Sequence, residues 1–257
     1  MEEQASDRPG RDFPYYRPDP AGLSAGGWLI VLAACAVGFA WLTLTGEQFV
    51  HPPLSLSPTT ARVVGVVGFL AAPVLGLRLA AGRDWLLMFP RPRWKDVGIG
   101  LAFAPLTLLV SLAAAYAVFS ASPVASNPAV GQLNDMDWLE RAGLFAAMAP
   151  QLLGEELITL LPFLALLAGF HTRLKTSRRT AILLAWFGSA VIFGALHLPT
   201  YDWHLLQSIG IIGSARLVLT LPYLITRSIW ASTTTHIAND WTAFGLTVAL
   251  HQAGHLE

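Results

Sequence analysis

Residues 142–170 read AGLFAAMAPQLLGEELITLLPFLALLAGF, an apolar run whose only charges are Glu155 and Glu156. As a helix rising 1.5 Å per residue it extends about 43 Å, more than the ~30 Å hydrocarbon core of a bilayer. A run this long and this apolar reads as a membrane-spanning helix. Similar runs lie near 27–45, 61–81, 97–120, 180–198, 204–226 and 228–250. The expected fold is all-α: a polytopic transmembrane helical bundle of about seven to eight helices.

The composition agrees. Of the 257 residues, 54% are hydrophobic and 12% charged, with a mean hydropathy of +0.54. That is too apolar for an ordinary soluble domain of this length. Sixteen basic residues balance sixteen acidic ones, so no net field recruits nucleic acid. The single cysteine, Cys35, forms no intramolecular disulfide and reads as a small buried hydrophobe.

Position is what gives the charges meaning. Thirteen of the sixteen Lys and Arg fall on one side of the alternating spans, among them Arg83, Arg91, Arg93, Lys95, Arg173, Lys175, Arg178, Arg179 and Arg227. Arg62 and Arg141 fall on the other side and Arg216 inside a span. Under the positive-inside rule the N-terminus faces the cytoplasm. Trp28, Trp85, Trp94, Trp138, Trp203 and Trp230 sit near expected helix ends, as interfacial anchors do. The polar, Pro-rich opening lacks the basic-then-apolar pattern of a signal sequence. Residues 1–24 are expected as a mobile cytoplasmic tail and 25–257 as one integral-membrane domain. The longest polar connection, 120–138, is expected as an external loop or surface cap.

Glu155 and Glu156 sit far from either end of their run. Each ionisable group at such depth costs at least ~2.5 to 3.5 kcal/mol by insertion scales and needs a partner, a proton or water. Neighbours on a helix point about 100° apart, so one glutamate can line a cavity while the other meets a packing partner. Gln151, Glu155 and Thr159 share a face. Pro162 removes the amide that would bond back to Ile158 and permits a local bend. The bland alternative is a pair of structural carboxylates satisfied by Arg216.

Phe193 and His197 are four residues apart at the end of the fifth run. His236, Asn239 and Asp240 share one side of the seventh, which is too polar there to face lipid. The bland readings are an interfacial histidine and interhelical hydrogen bonding. Together, Glu155, His197, His236 and Asp240 supply a candidate base, imidazoles and a polar group for an oxyanion, the set that hydrolysis needs. The chain has no HExxH, GxGD or GxSG. If a metal takes part, Glu155, His197, His236 and Asp240 are its candidate ligands, and zinc is the ion such a set suits.

At these residues the sequence resembles the CPBP family of CAAX proteases and bacteriocin-processing enzymes, whose pattern is EExxxR, then FxxxH, then HxxxN or HxxxD. Glu155-Glu156, Phe193 to His197 and His236 to Asp240 match in order within 140–245. The resemblance implies that Glu155 activates a water, Glu156 supports it and His197 assists proton transfer. It implies that His236 and Asp240, or Asn239, position the substrate or its oxyanion. It also implies a peptidase of membrane-anchored or lipid-modified proteins in a bacterial cell membrane, with no cofactor expected. The alternative is a non-catalytic scaffold or bacteriocin-immunity subunit. The sequence departs at Leu160, which stands where the motif has arginine, so Arg216 of the sixth span is expected to pair with Glu156. Counting along straight helices also sets Glu155 mid-membrane and His197 near the outer surface, which conflicts with a shared site.

Overall fold

The computed structural model describes residues 12–17, 21–48 and 55–253. Those residues fold into helices α1 (Ala25–Gln48), α2 (Pro58–Ala81), α3 (Trp94–Phe119), α4 (Pro128–Asp135), α5 (Trp138–Ala168), α6 (Arg178–Leu196), α7 (Leu205–Gln207), α8 (Ser214–Thr226) and α9 (Ile229–Gln252). One π-helical turn extends α5 over Gly169–Arg173, and another joins α7 to α8 over Ser208–Gly213.

Among the described residues six helices are long and apolar enough to cross a membrane, by length and composition. The seventh expected span is present as α9, but its Ser232 to Asp240 stretch keeps it below that hydropathy. It is sheltered by protein instead: Ser232, Thr235 and His236 are buried. The bundle is therefore inside-out at both levels. Leucines such as Leu29, Leu79, Leu109 and Leu112 point outward, where lipid is the solvent.

The central helix is α5. Its most apolar window is 72% buried, against 17% for α3. Asp137 caps its start, accepting from the amides of Leu139 and Glu140, while Glu140 accepts from the Asp137 amide. Helix α2 presses on α5 where Gly154 lies under the Phe69 ring. Across the bundle, α3 meets α9 at Gly100, where an added methyl would stand 2.6 Å from the Ala231 carbonyl oxygen. Close backbone approach through small residues is how membrane helices gain packing. Thr235 spans the same contact by donating to the Gly100 carbonyl at 3.0 Å.

Three expectations change. Trp94, Trp138 and Trp203 are exposed near helix ends, but Trp28 is buried and Trp230 donates to the Pro90 carbonyl. The 120–138 connection contains α4 and is pinned to the bundle: the Gln207 amide bonds both the N–H and the C=O of Ala125, and Asn127 donates to the Tyr201 hydroxyl. The third concerns the tail, of which residues 1–11 and 18–20 lie outside the described residues.

Residues 12–17 of that tail are packed. Phe13 is buried against Phe163 and Tyr223, with the Arg227 guanidinium 3.7 Å from its ring centroid. Asp12 bridges Arg178 at 2.6 Å and Arg17 at 3.0 Å. The Tyr15 hydroxyl reaches the carbonyls of Asp84 and Trp85 and accepts from the Met88 amide. The cause is aromatic content: Phe13, Tyr15 and Tyr16 offer more apolar surface than their prolines and charges suggest.

Two outcomes follow. Gly100→Ala should lower the melting temperature in detergent and Gly98→Ala, which meets nothing within 4 Å, should not; equal melting would contradict the α3 to α9 contact. Burial alone would raise the Asp12 pKa, but the Phe13 amide and the Arg178 guanidinium outweigh it and hold the carboxyl below its ordinary 3.8. Its contribution is thus present above that value and lost as the pH falls below it. Asp12→Asn should speed amide exchange over residues 12–17 at neutral pH, and wild type should show the same release in acid. Unaltered exchange in the variant would contradict the docking.

Candidate active site

Glu156 lies on the buried face of α5 and Arg216 on α8, and the two expected partners meet. Arg216 donates from Nη1 to Oε1 at 2.7 Å and from Nη2 to Oε2 at 2.9 Å, with both side chains fully buried. This is the planar, two-bond geometry that guanidinium offers a carboxylate. Arg216 Nε donates to the Thr220 hydroxyl, which in turn donates to the Arg216 carbonyl. The cation missing at buried Leu160 is supplied across the helix interface.

The same carboxylate orients the histidine of α9. His236 Nδ1 lies 2.9 Å from Glu156 Oε1. With Glu156 already held by arginine, Nδ1 carries the hydrogen and Nε2 faces the other way. There, Nε2 is 3.8 Å from both Glu155 Oε2 and Asp240 Oδ2. Both gaps exceed a direct hydrogen bond and suit a bridge through water. Gln151 donates to the other Glu155 oxygen at 3.1 Å. Thr159, on the same face, donates to the Glu155 carbonyl and so does not reach the carboxylate.

His197 closes α6, with Nδ1 2.9 Å from the Phe193 carbonyl oxygen. A carbonyl only accepts, so Nδ1 carries the hydrogen, and Nε2 has no hydrogen-bond partner among the described residues. Phe193 is the hub: its centroid is 4.6 Å from the His197 ring, 6.2 Å from the His236 ring and 5.0 Å from the Arg216 guanidinium carbon. Gly194 follows it because a methyl there would stand 2.8 Å from the Ser208 carbonyl oxygen of the π turn.

The conflict of depths dissolves at the α5 to α6 turn. Glu155 precedes residue 174 by 19 positions and His197 follows residue 177 by 20, or about 28 and 30 Å at 1.5 Å per residue. The two groups are level. The middle of α5 need not be the middle of the membrane, since α5 with its π turn runs over 36 residues, about 54 Å, well beyond a ~30 Å core, whereas α6 has 19 residues.

A cavity of about 590 Å³ joins these groups, lined by Gln151, Glu155, His197, His236, Asn239 and Asp240. Its remaining wall is largely apolar, including Phe39, Leu42, Phe69, Leu144, Leu152 and Ile158. Asn239 donates to Asp240 Oδ1 at 2.9 Å, and its own carbonyl oxygen is buried with no partner among the described residues. Among the described residues no three His, Cys, Asp or Glu side chains group closely enough to hold a metal ion.

Sequence reading missed two contributors. Tyr201 lines the cavity from the turn after His197. Burial raises its pKa, and the Asp240 and Glu155 carboxylates push the same way, so its hydroxyl keeps its proton. Thr220 follows Arg216 by one helical turn, a spacing that signals a shared face. Nothing local signals Tyr201, because only the tertiary turn brings it inward.

Phe193→Leu keeps apolar volume and removes the ring, so stability should fall by about 0.5 to 1.5 kcal/mol. The measurement is reversible denaturation in detergent, and an unchanged midpoint would deny the ring its central place.

Residues 137–242 match the family model described as type II CAAX prenyl endopeptidase, Rce1-like. The match starts at the cap of α5 and ends inside α9, so it contains every residue of the site discussed above except those of the wall contributed by α1 to α4. No curated protein and no solved structure matches the chain.

Proposed function

Because residues 137–242 match the model of Rce1-like type II CAAX prenyl endopeptidases, we propose that the chain is an intramembrane endopeptidase that activates water with Glu155. The observation that carries this reading is the division of labour between adjacent glutamates. Glu156 is bound on both oxygens by Arg216, whereas Glu155, among the described residues, is held by Gln151 on one oxygen and turns the other toward His236 Nε2. One carboxylate is structural and its neighbour is left to take a proton.

In the proposed reaction a water bonded to Glu155 Oε2 gives that oxygen its proton as it attacks the peptide carbonyl carbon. The oxyanion that forms meets donors at the cavity wall. The Tyr201 hydroxyl is one, and His236 Nε2 is another when the imidazole is protonated. Collapse breaks the C–N bond, and the leaving amine takes the proton held by Glu155, which His197 Nε2 accepts and passes on, so the Glu155 carboxylate is restored. Asp240, held by Asn239, orients the His236 side of the cavity. The reaction uses side chains and water. The apolar walls suit a membrane-anchored or lipid-modified polypeptide, since they would receive its apolar part without stranding polar groups.

The experiment is cleavage of a membrane-anchored reporter peptide in detergent by wild type, Glu155→Ala and Glu155→Gln. A positioned base contributes ~10² to 10⁴-fold, so both variants should lose at least about 100-fold. Melting should be little changed, as Glu155 has no ion-pair partner closer than 3.8 Å among the described residues. A strong chelator should leave the wild-type rate unaltered. Equal cleavage by all three proteins would remove the assignment of Glu155, and cleavage by none of them would favour a scaffold or immunity role for the same polar cluster.

A further inference from the structure

We infer that the cavity admits its substrate from the extracytoplasmic side, so that the bond cleaved belongs to an exported, membrane-anchored polypeptide and not to a tail presented in the cytoplasm. The chemistry of this inference rests on the peptidase reading above. Its direction rests on separate observations.

The first is where the cavity lies along the bundle. Its walls come from the C-terminal half of α1, the start of α2, α4, the N-terminal half of α5, the turn after α6 and the later part of α9. With antiparallel neighbours, all of these lie at one end of the molecule. Arg62, Gln132 and Thr200 line the cavity there, and Gln132 and Thr200 are exposed.

The second is that the opposite end is closed toward Glu155: the cavity of about 710 Å³ there, lined by Tyr16, Arg17, Leu23, Trp28, Pro162 and Thr172, does not include it. Beyond Glu155 along α5, Leu160, Leu161, Phe163 and Leu164 are fully buried. Phe13 and Tyr223 then cover Phe163, and the Asp12 to Arg178 ion pair lies over them. A polypeptide reaching Glu155 from that end would have to displace the whole core, including the docked residues 12–17.

The third is charge. Every short connection at the closed end carries Lys or Arg: residues 82–93 hold Arg83, Arg91 and Arg93, residues 173–178 hold Arg173, Lys175 and Arg178, and residue 227 is itself arginine. The connections at the cavity end, residues 49–57, 120–137 and 197–204, contain no Lys or Arg. Short loops rich in Lys and Arg stay in the cytoplasm. The closed end therefore faces inward and the cavity outward.

The test uses the full chain in intact cells. In a Cys35→Ala background, single cysteines are placed at Thr200, on the cavity, and at Ser177, in the α5 to α6 turn; both changes swap hydroxyl for thiol and leave the charges in place. A membrane-impermeant maleimide should label Thr200→Cys as fully in intact cells as after permeabilisation. Ser177→Cys should label only after permeabilisation. The reverse pattern, or labelling of both positions in intact cells, overturns the inference. Gln132→Cys provides a second reading at the cavity if Thr200→Cys fails to accumulate. Adding Glu155→Ala should leave the labelling unchanged whatever it does to cleavage, so the direction of access and the peptidase chemistry stand or fall separately.

Discussion

The ion pair between Glu156 and Arg216 is the constraint on which the rest depends. Both ions are fully buried, and removing one partner of such a pair typically costs about 3 to 5 kcal/mol because the other is left uncompensated. The pair locks α5 to α8, and a third hydrogen bond, donated by His236 Nδ1 to Glu156 Oε1, brings in α9. Three helices are thus fixed at one point, inside a bundle whose lipid-facing surface offers little hydrophobic incentive for any one arrangement.

From that point the geometry propagates outward. Fixing Nδ1 of His236 aims Nε2 at Glu155 and Asp240. Phe193 packs on both histidine rings and on the arginine, so α6 is referred to the same centre. The close contacts at Gly100 and Gly194 let α3 and the π turn approach without displacing it. A site assembled this way keeps Glu155 only lightly restrained, which is what a group that takes and returns protons requires.

Much of this was legible because lipid makes ionisable residues conspicuous. Glu155, Glu156, His236 and Asp240 stand out against apolar neighbours, and a buried carboxylate beside Leu160 demands a cation, which Arg216 supplies from the sixth span. What stayed hidden depends on relations between segments. The level placement of Glu155 and His197 follows from the α5 to α6 turn, not from the middle of either run. Tyr201 enters the site through a tertiary turn, and Asn127 follows it there through α4. The packing of Phe13, Tyr15 and Tyr16 escaped notice because a Pro-rich, charged stretch reads as tail unless its aromatic residues are weighed against the surface awaiting them.

The most direct measurement of the central claim is a double-mutant cycle on unfolding free energy in detergent, with Glu156→Leu, Arg216→Leu and the pair together. Each single change strands a buried charge, whereas the double change removes both. The expected result is that the double variant loses less than the sum of the two single losses by at least about 1 kcal/mol. Losses that simply add would contradict the account, because they would mean that the two side chains do not hold one another and that the site is organised around some other contact.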